Sequence, residues 1–221
     1  MDTIKQWLTE RQTIYSILAL FYRGDLSKGL DILKSTGILQ RFSEYVDNPQ
    51  LSEGAKIVTK EIDENVKNNK HIDLLLDEHQ RLFVGPDHIP APIYESVYRT
   101  KDKLLFGQSE LEVRKIYYNS GLEVKSTEPA DHLALELSFM ARLCFITKDD
   151  FSQQVIEYLN KQHDFLKDHL LQWVPLWADA VNANAQTKFW SGLALVTKGW
   201  LMNDLAEVQE ILTSMFNIEQ K

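Results

Sequence analysis

Apolar side chains recur at three- and four-residue steps along almost the whole chain of 221 residues, the spacing that an α-helix gathers onto one face. Ile4, Trp7, Leu8, Tyr15, Leu18 and Phe21 form the first stripe, which stops near Gly24. Leu26, Leu30 and Leu33 begin a second, interrupted by Gly37, and Leu51, Ala55, Val58, Ile62 and Val66 make a third. After the polar run Lys67-Asn68-Asn69-Lys70 the pattern resumes over 72–83. Beyond it the spacing predicts a short helix over 110–119 ending at Gly121, a long one over 129–146, another over 151–171, and two more over 186–201 and 203–216. No run alternates apolar and polar residues between turn signals. The one candidate, 93–98, follows Pro90 and Pro92 and reads as loop or extended edge. The expected fold is all-α, a single domain over 1–221 with about nine or ten helices.

The helical period fails over 84–100. That segment holds Gly85, Pro86, Pro90 and Pro92, and so three of the six prolines. It is expected to be a long proline-rich loop between an N-terminal half, 1–83, and a C-terminal half, 101–221. A long irregular stretch inside a compact helical protein is as often functional as it is a plain connector.

Charge narrows the partners. With 24 Lys plus Arg against 32 Asp plus Glu, the formal net charge is -8, which suits a basic partner and argues against nucleic acid, whose binding needs clustered cations. The single cysteine, Cys144 between Leu143 and Phe145, permits no internal disulfide and no zinc-type pair, so a reducing, cytoplasmic setting is expected and the thiol reads as buried and inert. The N-terminus has no secretory pattern, and no apolar stretch is long enough for stable membrane insertion. The glycines are scattered rather than gathered into a phosphate-cradling loop.

At the proline-rich segment the sequence becomes specific. Glu78-His79-Gln80-Arg81-Leu82-Phe83-Val84-Gly85-Pro86 leads into Pro90-Ala91-Pro92-Ile93-Tyr94-Glu95-Ser96-Val97-Tyr98, and Glu128-Pro129-Ala130-Asp131-His132-Leu133-Ala134-Leu135-Glu136 follows thirty residues later. A third segment runs His169-Leu170-Leu171-Gln172-Trp173-Val174-Pro175, then Phe189-Trp190. From about Glu78 onward the chain resembles the TorD/DmsD family of molybdoenzyme chaperones. Ile93 departs from it, where many members carry a further proline. The resemblance implies an all-helical fold and no chemistry. It also implies binding of the twin-arginine signal of a molybdopterin oxidoreductase precursor, with help in cofactor loading before export.

The signal-binding candidates are Pro92, Tyr94, Glu95, Ser96, Tyr98, Glu128, Asp131, His132 and Glu136. A signal peptide has a basic start and an apolar stretch, so its receptor needs acids beside an apolar groove. Carboxylates pair bidentately with guanidinium, which makes Glu95, Glu128 and Asp131 the arginine partners, while Tyr94 and the prolines supply the apolar wall. Pro129 suits a first helical turn, which would place Asp131 in that turn and His132 and Glu136 on one face. The plainer alternative is that Asp131 caps its own helix and His132 ties down the loop. Leu82, Phe83, Trp173, Trp177, Trp190 and Trp200 read as core, with Pro175 opening a new helix.

No catalytic residue, metal or cofactor is expected. The competing readings are a general helical scaffold, and a metalloenzyme using Glu128, His132 and Glu136. A di-iron bundle needs Glu-x-x-His motifs and the chain contains none, and Ser96 has no histidine beside it in sequence. A monomer or a helix-exchanged homodimer would both serve.

Overall fold

The computed structural model describes residues 2–65, 69–86, 88–101, 105–124, 127–149 and 154–219. Val66, Lys67, Asn68 and Phe151, which figure in the predicted helix boundaries, lie outside them. Among the described residues the elements are α1 (Asp2–Tyr22), α2 (Leu26–Thr36), α3 (Ile38–Ser43) and α4 (Pro49–Glu64), then α5 (Asn69–His79), which runs on through a π turn (Gln80–Val84). They continue with α6 (Glu95–Arg99), α7 (Gln108–Asn119), α8 (Leu133–Asp149), α9 (Val155–Phe165), a second π turn (Leu166–Leu170), α10 (Leu171–Asn184) and α11 (Lys188–Glu219). Counted as unbroken helical runs these make ten, and no strand occurs among the described residues.

Local chemistry explains several boundaries. Gly37 takes a left-handed φ of 64°, which closes α2 and opens α3 without the cost a side chain would bring. Asn48 caps α4, accepting Leu51 N at 3.1 Å, with Pro49 as the first helical residue.

Four expectations change. The irregular stretch is shorter than 84–100, because Val84 still belongs to the π turn and residues 95–99 form α6. The helix expected from Pro129 starts at Leu133 instead. The two helices expected over 186–216 are the single α11, which runs straight through Gly199. Pro175 lies inside α10 rather than opening a helix.

The two halves of the chain interlock. α1 lies along α8, and α4 lies along α11. The second pairing depends on three glycines. A Cβ on Gly54 would stand 2.7 Å from Val196 N, one on Gly192 2.7 Å from an Ile57 methyl, and one on Gly199 2.6 Å from Leu51 N. The helices therefore meet almost backbone to backbone. In the same core Tyr22 packs edge to face on Phe83 and Trp177, and Phe83 does so on Trp190 and the buried His79. Leu82, Trp173 and Trp200 also join this core, as expected.

One charge is sealed inside. Arg11 grips Asp204 through Nε at 2.5 Å and Nη2 at 2.8 Å, and also donates to Gln162. Tyr15 donates to the same Asp204 carboxylate. Arg11 and Asp204 are both fully buried, so α1, α9 and α11 are held in one register by a paired charge. Cys144 lies beside this network, fully buried, and burial pushes its thiol up to about 12.

Replacing Gly199 by alanine should cost about 1–3 kcal/mol, because its Cβ meets backbone that cannot rotate away. The melting temperature should drop by about 2–4 °C for each kcal/mol. A Gly199→Ala protein that melts within about a degree of the parent would contradict the close α4–α11 approach.

Candidate functional site

The two motif segments meet as extended backbone. Tyr94 and His132 form an antiparallel bridge. Glu95 N donates to Asp131 O at 3.0 Å, and Leu133 N donates to Ile93 O at 2.9 Å. This pairing occupies residues 131–133 and delays α8 to Leu133, which is why Pro129 does not open the helix. Each partner then starts a helix. The Asp131 carboxylate accepts Ser96 N at 2.8 Å and so caps α6, a helix other than its own. His132 Nδ1 accepts Ala134 N at 3.1 Å and caps α8. That bond requires a bare Nδ1. The ring is 8% exposed, and burial, with smaller contributions from His79 and Arg23, lowers its pKa to about 4.

Beneath the pairing lies a buried acidic group. Both Glu95 oxygens lie 3.1 Å from His169 Nδ1, and one also accepts Arg99, which donates further to Asp168 O at 3.0 Å. Glu136 Oε2 accepts Trp173 Nε1 at 3.1 Å. Burial raises the Glu136 pKa well above its ordinary value, and Glu95 and Asp131 add to the effect. Trp173 in turn stacks on Tyr98, with ring centroids 5.6 Å apart.

Above it opens an apolar groove of about 690 Å³. Pro90, Pro92, Tyr94, Val97 and Tyr98 form one wall, and Leu176 and Ala180 of α10 form the other. Leu176 is 56% exposed and adds a large aliphatic side chain to that wall. Glu128 stands exposed at the rim, where its Oε2 accepts the Tyr94 hydroxyl at 3.0 Å.

The candidates therefore separate into two layers. Pro92, Tyr94 and Tyr98 line the groove, and Glu128 lies at its edge. Glu95, Ser96, Asp131 and Glu136 are fully buried, and His132 nearly so. The surface carboxylates expected of Glu95 and Asp131 are turned inward and bonded to this chain's own donors. Glu128, His132 and Glu136 do not share a helical face, because Glu128 and His132 precede α8. No group of three or more potential ligands among the described residues is arranged to hold a metal ion. Sequence reasoning missed His169, Leu176 and Ala180. Leu176 carries a visible signal, an aliphatic residue flanked by Pro175 and Trp177 on a helix whose apolar face is already filled by the tryptophans.

His132 should stay neutral well below the usual histidine range. A folded pKa below the unfolded value means that its contribution to stability is present above about 6.5 and is lost as pH falls towards 4. The loss is on the order of 3 kcal/mol. Glu136 acts in the opposite sense, so the direct reading is an NMR titration of the His132 ring. Protonation at pH 6 would refute the Nδ1 cap.

Comparison with known proteins adds the family. The model of the nitrate reductase delta subunit family matches residues 48–179, more than half of the chain. The chain is 26% identical over 205 residues to the chaperone protein TorD of Shewanella piezotolerans, covering 88% of this chain and 90% of that protein. It is 27% identical over 218 residues to the TorD chaperone of Shewanella oneidensis, covering 95% and 94%. It is 28% identical over 210 residues to that of Vibrio cholerae, covering 92% and 94%. The family match covers both motif segments and the groove residues up to Leu176. With the all-helical fold and full-length likeness to named chaperones, it means that this chain belongs to the nitrate reductase delta subunit family, among its TorD-type molybdoenzyme chaperones.

Proposed function

We propose that the chain works in the cytoplasm and receives the twin-arginine signal of a molybdopterin oxidoreductase precursor in the groove between residues 88–100 and α10. It keeps the precursor from export while the cofactor is inserted. The observation that carries this reading is an apolar groove walled by the motif-bearing segment, with an acid at its rim. The relatives, named as chaperones, support a binding role without chemistry.

Binding divides between two parts of the ligand. The signal's apolar stretch buries against Pro92, Tyr94, Val97, Tyr98 and Leu176. Its arginines meet Glu128, and the acidic surface steers the basic end inward. Glu95, Ser96, Asp131, His132 and Glu136 act from below by holding the groove wall in shape. Each chain carries a groove, so a monomer and a helix-exchanged dimer would serve equally.

Calorimetry with a client signal peptide tests the division. Leu176→Glu sets a charge on the apolar wall and should weaken binding at least about tenfold, the worth of one buried aliphatic side chain. Glu128→Gln should weaken it by no more than about fivefold, fading with added salt, as an exposed ion pair does. If folded Leu176→Glu binds like the parent, the signal does not occupy this groove.

A further inference from the structure

Glu136, in the first turn of α8, and Glu95, the first residue of α6, are both fully buried, and their carboxyl groups lie within hydrogen-bond reach of each other. Glu136 Oε2 takes Trp173 Nε1, while Oε1 receives no donor. Two ionised carboxylates in that position would be acceptors facing each other in a dry site, an arrangement that one proton between them resolves.

The surroundings offer little compensation. Arg99 of α6 is the cation on Glu95, and His169 of the second π turn faces both Glu95 oxygens. Asp131 adds a third acid from the segment before α8, and Tyr117 faces the group from α7. Of the three buried carboxyl groups, Glu95 alone holds the arginine and the imidazole.

We propose that Glu136 is a positioning residue of the groove: a carboxylic acid that keeps its proton, donates it to the Glu95 carboxylate, and through its other oxygen holds Trp173 against Tyr98. The bond gives the orphaned Oε1 a partner. It also leaves Oε2 free to accept the indole, so one protonation state satisfies both contacts. Tyr98 lines the groove, so its wall is set by a proton that lies out of reach of the ligand. The consequence for binding rests on the groove reading above, whereas the protonation itself does not.

The raised pKa fixes the sign of the pH dependence. Stability from this contact is complete below the ordinary value of 4.5 and is lost as pH rises through the folded value. Glu136→Gln imitates the neutral acid at every pH, since its amide donates to Glu95 and its carbonyl accepts from Trp173.

Three measurements test this on the full chain. Infrared spectroscopy with isotope-labelled glutamate should show a protonated glutamic acid at neutral pH in the parent, lost in Glu136→Gln; its absence from the parent overturns the proposal whether or not any variant folds. Melting temperatures from pH 5 to 8 should fall in the parent relative to Glu136→Gln, and parallel curves would also overturn it. Signal-peptide affinity should stay within about twofold in Glu136→Gln and drop at least about fivefold in Glu136→Ala. A folded Glu136→Ala that binds like the parent removes the positioning role. If the parent itself does not bind the peptide, the groove reading fails, and the infrared band alone judges the proton.

Discussion

Two backbone hydrogen bonds and one carboxylate carry the geometry of the site. Glu95 N to Asp131 O and Leu133 N to Ile93 O join segments that lie more than thirty residues apart, and the Asp131 side chain adds Ser96 N. Because both segments lead directly into helices, the same short pairing sets where α6 and α8 begin. Every side chain of the groove wall from Pro92 to Tyr98 inherits its position from that junction. Asp131 cannot be replaced by a residue that merely favours helix starts, since the helix it caps is not its own.

Periodicity was enough to find most helices, because each buries one face. Gly37 marked a true break, and the tryptophans were recognisable as core. The misreadings share a cause. Pro129 and Pro175 are local signals for helix starts, and tertiary contacts overrode both: backbone pairing holds 131–133 extended, and a continuous run carries Pro175 within α10. The break expected near residue 202 does not exist in α11. Gly199 lies where Leu51 passes within a Cβ's reach, a packing demand met inside a continuous helix.

The candidates were legible as neighbours but not as layers. The family resemblance grouped Glu95, Asp131 and Glu136 with Tyr94 and Tyr98, yet it carries no information on which way a carboxylate points. All three face inward, and only Glu128 among the named acids stands exposed. Burial is what separates a side chain that touches a ligand from one that shapes the surface the ligand touches. The opposite wall, Leu176 and Ala180, comes from a helix whose tryptophans drew attention to its other face.

The sealed Arg11–Asp204 pair spans 193 positions of sequence, and the α4–α11 seam joins Leu51 to Gly199, 148 positions on. Helical proteins ordinarily fold quickly because their contacts are local. Here the deepest ones are not. As the chain leaves the ribosome, α1 and α4 emerge long before the helix that covers them, with a guanidinium awaiting its counter-ion and a glycine-lined face awaiting its neighbour. During synthesis this protein therefore carries apolar surface that is made early and covered late.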